Sequence, residues 1–358
     1  MAVTALDLSS SGLDLTVALV DVASVSGDEA AITALVERAL TGYPGIELIR
    51  DGNVLIARTA FGRRQRVVLA GHLDTVPIAD NLPARRDRGR LYGCGTSDMK
   101  SGVAVALRLV HLVGTGALVP GVDLTWVFYD CEEVEAARNG LGRIARQRPH
   151  LLAADLAILL EGTNGGIEGG CQGTLRARVT VTGERAHSAR SWLGVNAIHA
   201  AAPVLRRLAD YPARTVTVEG LAYREGLNAV FVSGGVAGNV VPDECTVTVN
   251  FRFAPDRSES DAAEHVREVF AGYPVEIIDS APAARAGLDG ELARRLVGAV
   301  GGEPVGKLGW TDVARFGELG IPAVNLGPGD PNLAHTRGEY VEVALIEQVE
   351  QALVSFLG

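Results

Sequence analysis

Leu124-Thr125-Trp126-Val127-Phe128-Tyr129-Asp130-Cys131-Glu132-Glu133 is an apolar, β-branched and aromatic run that ends in two adjacent glutamates. A run of this composition reads as a buried strand, which places Glu132 and Glu133 just beyond its C-terminal end. In open α/β sheets that rim is where ligands bind. Two neighbouring acids there can divide cation binding from proton transfer. A solvated acidic loop would show the same pair, so the other strand ends decide between the two readings.

Those ends repeat the pattern. Val67-Val68-Leu69-Ala70 runs into Gly71-His72-Leu73-Asp74. Residues two apart on a strand point to the same side, so His72 and Asp74 suit a metal ligand with its orienting acid, a proton relay, or a histidine that only bonds a loop. The glycine-rich stretch from Leu91 to Gly102 matches neither GxGxxG nor GxxxxGK[ST], which argues against a phosphate loop. Within it, Asp98 precedes an apolar helix expected over 103–113, as a cap or as a metal ligand. Leu156-Ala157-Ile158-Leu159-Leu160 is another buried run and ends at Glu161, while Ala323-Val324-Asn325-Leu326 leads into a loop carrying His335. Nearer the start, helices are expected at 14–23 and 28–40 around Ser24-Val25-Ser26-Gly27, with Ser26 or Asp28 capping the second. That segment reads as scaffold.

Composition narrows the class. At 358 residues the chain exceeds a typical single core, so two domains are expected. A net charge of −10 argues against a nucleic-acid-binding surface. Cys94, Cys131, Cys171 and Cys245 are widely spaced, form no CxxC pair and read as buried free thiols. The first basic residue is Arg38 and no apolar run is long enough to span a bilayer. A cytoplasmic protein with no membrane partner is the expectation.

From Thr174 the texture changes to strict alternation, with Leu175, Ala177, Val179 and Val181 on one face and Arg176, Arg178, Thr180 and Thr182 on the other. This reads as a half-exposed antiparallel strand. A helix at 196–209, strands at 214–219, 229–234 and 246–253, a helix at 260–270 and a strand at 275–278 follow. The order is that of a ferredoxin-like α+β unit. The expected architecture is an α/β catalytic domain, 1–173 and 285–358, with an inserted α+β lid or dimerisation domain, 174–284. His187, Asn239 and Arg252 in the insert look ordinary taken one at a time, and His199 reads as a helix-face residue.

Two histidines and several carboxylates without a cysteine suit zinc or a comparable divalent ion, and the donors outnumber the needs of one tetrahedral ion. Two ions about 3.5–4 Å apart, bridged by one carboxylate, would polarise an amide and activate a water whose proton a free carboxylate carries to the leaving amine.

Taken together, GHLDTVP, GCGTSDMKSG, the Glu132-Glu133 pair, strand-terminal Glu161, the GxxxHS turn at His187 and the late His335 resemble the co-catalytic zinc amidohydrolases that include aminoacylases and carboxypeptidase G. The resemblance runs in order over nearly the whole chain and implies a three-layer, zinc-peptidase-like catalytic domain. Within the family, YDCEE, EGGCQGTLR and GDPNLAH are most similar to succinyl-diaminopimelate desuccinylases of the actinobacterial type. It implies that His72 and Glu161 hold one zinc, that Glu133 and His335 hold the other, and that Asp98 bridges them, with cobalt as a possible substitute. Glu132 would be the general base and Asp74 would orient His72. His187 would reach a partner's site across a homodimer, and Asn239 and Arg252 would contact substrate. The implied reaction is hydrolysis of N-succinyl-LL-2,6-diaminopimelate to succinate and LL-2,6-diaminopimelate in lysine and cell-wall biosynthesis. The alternatives are a related deacylase or dipeptidase, such as an acetylornithine deacetylase or an aminoacylase, and a catalytically silent binding homologue. Two departures bear on these expectations. Glu161-Gly162 stands where the family has Glu-Pro, which frees that loop from a proline. Cys171-Gln172 stands where some desuccinylases have Arg, leaving Arg176, Arg178 or Arg252 to read a substrate carboxylate.

Overall fold

The four buried runs become strands Arg66–His72, Asp123–Tyr129, Leu156–Leu159 and Ala323–Asn325 of one sheet. The structure, a computed structural model, describes residues 3–358. The eight strands lie in the order Ile46–Asp51, Val54–Thr59, Asp123–Tyr129, Arg66–His72, Leu156–Leu159, Ala323–Asn325, Glu168–Gly169 and Val305–Gly306. The central four are parallel neighbours, and the first two are an antiparallel hairpin joined through Gly52-Asn53. The Ile46–Asp51 strand was not expected; its half-buried edge lacks a clear alternation.

Burial explains the apolar runs. Leu55, Ala57, Val67, Leu69, Leu124, Trp126 and Phe128 enter one core together with helices Gly12–Val20, Ser101–Gly114 and Val343–Leu357. The alternating residues Val54, Ile56, Val68, Ala70 and Val127 are equally buried, and strand pleating turns them to the opposite face. Both faces are therefore covered, as in layered α/β folds. Helix Ser101–Gly114 approaches the sheet closely because residue 102 is glycine: a Cβ there would lie 2.1 Å from the Leu160 carbonyl oxygen.

The chain leaves Arg66–His72, returns beside it as Asp123–Tyr129, then crosses to its other side as Leu156–Leu159. The Arg66–His72 strand thus sits where the winding reverses, and a crevice opens at its carboxyl end in such sheets.

The chain divides into two compact units, one comprising residues to Gly169, Ala286–Val305 and Arg315–Gly358, the other Gly170–Arg285 and Gly306–Ala314. Residues 306–314, read from sequence with the first domain, cluster with the second unit. Its sheet is antiparallel, ordered Gly226–Gly234, Glu244–Phe253, Gly173–Thr182, Val275–Ala281. Helices Ala202–Ala209 and Glu259–Val269 bury Val204, Ala262 and Val266 against Leu175, Ala177, Val179 and Val247, giving the ferredoxin-like arrangement. The strand expected at 214–219 is outside that sheet: Thr215–Val218 pairs only with Leu221–Arg224, through a turn in which Glu219 and Gly220 both have positive φ. Such a two-residue turn matches strand twist and closes a hairpin locally. No helix among the described residues is long and apolar enough to cross a membrane, and all four cysteines are free and buried.

Candidate metal centre

The parallel register sets the level of each donor. His72 ends its strand opposite Tyr129, so the Asp130–Glu133 loop begins beside it. On the other side Ala70 pairs with Leu159 and its carbonyl accepts the Leu160 N–H at 2.9 Å, so Glu161 leaves the sheet at the level of His72. Glu161 is 7% exposed.

Asp98 lies in a loop whose backbone is non-helical at residues 98 and 99. Its side chain does not cap the following helix, whose N-cap is Lys100. Instead Asp98 Oδ1 is 3.0 Å from His72 Nε2, and Asp98 Oδ2 is 3.4 Å from His335 Nε2. His335 Nε2 also lies 2.9 Å from Glu133 Oε2. Donor atoms of His72, Asp98 and Glu133 all fall within 4.8 Å of one another. Four residues separated by up to 263 positions, His72, Asp98, Glu133 and His335, thus meet around the Asp98 carboxylate, which faces both imidazoles. His335 has φ of 63° and Cys131, two residues before Glu133, has φ of 57°. Left-handed backbone at non-glycine residues concentrates at functional sites.

Asp74 is fully buried and does more than face His72. His72 Nδ1 lies 3.0 Å from the Asp74 main-chain oxygen and 3.5 Å from its Oδ1. The Asp74 carboxylate accepts the Glu132 and Glu133 N–H groups, both at 3.1 Å, and the Ser26 hydroxyl at 2.6 Å. One acid therefore fixes both the histidine and the glutamate pair. Ser26 consequently caps no helix; Glu29 occupies the N-cap of Ala30–Leu40 and makes no side-chain cap bond. Glu29 Oε1 instead accepts the Gly27 N–H at 2.6 Å and the Cys131 N–H at 3.3 Å. The segment expected to be scaffold braces the loop that carries Glu132.

The electrostatics show a site that demands positive charge. Burial opposes a proton on His72, yet bonds to Asp74 and Asp98 hold its pKa well above the usual value. Asp98, followed by Glu133, raises His335 to about 10. Burial opposes ionisation of Asp74, but His72 and then Ser26 bring it down to about 2. Asp98 is likewise burdened by burial and is lowered by His335 and His72. Two imidazoles and a set of ionised carboxylates without a thiol are the donor chemistry of zinc and similar divalent ions. The residues present fit such ions.

Glu161-Gly162 fits its surroundings closely. A Cβ at Gly162 would approach the Gly329 carbonyl at 3.0 Å and the Ser97 carbonyl oxygen at 3.1 Å, so the loop is held by packing where a proline is lacking.

In the second unit, Ala186–His187 pairs with Val240–Val241, and the Ser188 N–H donates to the Asn239 carbonyl at 2.9 Å. That short ladder brings His187 and Asn239 together, both exposed. Arg176 and Arg178 are exposed and bonded to Asp279 and Glu276 at 2.7 and 2.6 Å. Arg252 is half-buried and donates to the neutral Asn250 Oδ1 at 3.2 Å. His199 lies on the short helix Ala197–Ala200, as a helix-face residue.

Residues 68–358 match the model of peptidase family M20/M25/M40. The chain belongs to that family. A Mycobacterium tuberculosis (strain ATCC 25618 / H37Rv) protein with the provisional name succinyl-diaminopimelate desuccinylase DapE is 57% identical over 356 residues, covering 99% of each chain. The succinyl-diaminopimelate desuccinylase of Corynebacterium glutamicum is 49% identical over 360 residues, covering 98% of this chain and 97% of its own. The structure also resembles that of Bacillus subtilis YXEP, a dinuclear metal-binding peptidase of the M20 family, with a TM-score of 0.71, 17% identity and 96% of each chain covered. At that identity the likeness bears on the fold alone. Family membership makes this chain a metal-dependent hydrolase.

Proposed function

We propose that this chain hydrolyses the amide of N-succinyl-LL-2,6-diaminopimelate, releasing succinate and LL-2,6-diaminopimelate, with two zinc ions per subunit. The reaction type rests on one observation, the convergence of His72, Asp98 and Glu133 donor atoms within 4.8 Å. The substrate rests on near-full-length similarity to the two desuccinylases. His72 and Glu161 would hold one ion, Glu133 and His335 the other, and Asp98 both; cobalt suits the same donors. When bound, the ions supply Lewis-acid charge to the amide carbonyl and to the attacking water.

The protein's own groups do the rest. Glu132, tied through its main chain to Asp74, takes a proton from the water. As the C–N bond breaks, Glu132 returns that proton to the leaving amine, so the oxygen of water ends in succinate and the amine leaves neutral. His187 donates to the developing oxyanion in the site of a partner protomer, and Asn239, on the same ladder, contacts substrate. Among the three arginines, Arg252 is assigned to a substrate carboxylate, because Arg176 and Arg178 are engaged by acids across the sheet. A guanidinium facing only a neutral amide keeps its charge available.

The first unit is thus the catalytic domain and the second a lid and dimerisation domain. Support for a homodimer comes from strand Gly226–Gly234, which lies at the edge of its sheet with Phe231 70% and Val232 54% exposed, a surface that monomers rarely leave open. Four unpaired thiols fit a reducing compartment such as the cytoplasm.

The test is amide hydrolysis by zinc-loaded protein of N-succinyl-LL-2,6-diaminopimelate, N-acetylornithine and an N-acyl amino acid side by side. A preference of at least about a hundredfold in kcat/KM for the succinyl substrate is expected, close to 3 kcal/mol of transition-state discrimination. Preference for another substrate would retain the two-ion chemistry and replace the assignment.

A further inference from the structure

Glu339 is an acid that the proposed reaction does not use, and it is 2% exposed. Its carboxylate points at main chain. Oε1 accepts the Ser97 N–H at 2.8 Å and the Asp98 N–H at 3.1 Å, and Oε2 accepts the Gly95 N–H at 3.0 Å. Three N–H groups of one loop converging on one carboxyl group resemble the backbone nests that hold free anions, except that here the acceptor oxygens are supplied by the chain itself. The loop gripped in this way is the one whose Asp98 faces both His72 and His335.

The grip is anchored at both ends. Strand Tyr340–Glu342 follows Glu339 directly and pairs with Arg90–Tyr92, which leads into the Asp98 loop. The Gly93 N–H donates to the Glu339 carbonyl at 3.1 Å, and the Ser97 hydroxyl donates to the Tyr340 carbonyl at 2.7 Å. Glu339 is also only four residues beyond His335 and its N–H donates to the Thr336 carbonyl at 3.2 Å. One short segment therefore carries a metal-ligand candidate and clamps the loop of the proposed bridge.

We infer that Glu339 is a positioning residue for the two-ion centre: its carboxyl group holds the Asp98 main chain so that the two Asp98 oxygens stay directed at His72 and His335. The inference rests on the two-ion reading above. Glu339→Gln keeps the side-chain length but replaces one acceptor oxygen with an amide N–H₂, which opposes the loop's own N–H donors. Residues that orient metal ligands typically contribute about 10–100-fold to metal affinity or activity.

The experiment measures zinc binding by competition with a chromophoric chelator, cobalt absorption spectra, and steady-state kinetics. The proteins are wild type, Glu339→Gln and Val341→Ala. Val341 is buried beside Glu339 and outside the centre, so its truncation controls for lost stability alone. Wild type and Val341→Ala should bind two ions per subunit with indistinguishable cobalt spectra. Glu339→Gln should bind at least one of the ions about tenfold or more weakly, shift the cobalt spectrum, and lower kcat by more than it changes KM. If Glu339→Gln does not fold, Glu339→Asp, which keeps the carboxyl group and withdraws it by one methylene, is read in the same way. Two tightly bound ions, an unchanged spectrum and only a lower melting temperature in the Glu339 variant would overturn the inference. Fewer than two ions in the wild type would overturn the two-ion reading itself.

Discussion

Two clusters of potential ligands flank Glu132, and their contrast shows what separates a candidate metal centre from a brace. In each of the groups His72, Asp98, Glu133 and Glu29, Asp130, Cys131, donor atoms lie within 4.8 Å of one another. The second group is the more deeply buried, yet it disposes of its charge internally. Burial, with Glu29 beside it, pushes the Cys131 thiol up to about 11, and the sulfur lies 3.4 Å from Glu29 Oε1. Burial also raises the Asp130 carboxyl, while Arg143 stands 3.6 Å away. The Cys131 thiol keeps its proton, and the cluster ties loops together. The first group keeps Asp98 ionised and draws protons onto both imidazoles. Imidazole together with carboxylate suits zinc and similar ions better than a thiol that keeps its proton.

The largest effect that sharpens this contrast belongs to the residue between the clusters. Glu132→Gln should retain two ions per subunit by elemental analysis while kcat falls by about 10²–10⁴-fold, the usual contribution of a positioned acid–base group. Near-normal turnover would remove Glu132 from proton transfer. Next, His335→Ala should leave one ion per subunit after dialysis under conditions where the wild type keeps two. Glu29→Gln under the same conditions should keep both.

Proton linkage gives a smaller, graded effect. His335 holds a proton up to about 10 in the metal-free protein and His72 is raised in the same direction. Metal ions must displace those protons, so binding near neutral pH should release them and affinity should rise with pH, levelling off only as His335 loses its proton unaided. Calorimetric titrations in buffers of different ionisation enthalpy measure this release, and pH-independent zinc affinity between about pH 6.5 and 8.5 would contradict it. The smallest effect is on stability: Glu29→Gln weakens an acceptor shared by Gly27 and Cys131 and should cost about 1–3 kcal/mol in denaturant unfolding.

The division between legible and hidden residues follows the same contrast. The proposed ligands His72, Glu133 and Glu161 were legible because each follows an apolar run, and a parallel sheet brings such ends to one rim; Asp98, in a glycine-rich loop beside another sheet, and His335, along the loop beyond Ala323–Asn325, stood out only in that company. Ser26, Glu29 and Glu339 were not, because their role lies in partners that local pattern cannot reveal. Ser26 bonds Asp74 across 48 positions, Glu29 meets Cys131 across 102, and Glu339 meets Asp98 across 241. A usable signal for Glu339 existed in its place four residues after His335. Arg176 and Arg178 alternated correctly to the exposed face, but the acids opposite them belong to a strand about 100 residues later. The hairpin at Thr215–Val218 was legible as a strand and misplaced as to partner, since strand propensity says nothing about pairing.

The most direct test of the two-ion centre is anomalous diffraction at the zinc edge from crystals of zinc-loaded protein. Two peaks per subunit are expected, about 3.5–4 Å apart, with the Asp98 carboxylate between them and His72 and His335 on opposite sides. A single peak, or a peak among Glu29, Asp130 and Cys131 in place of that pair, would contradict the account.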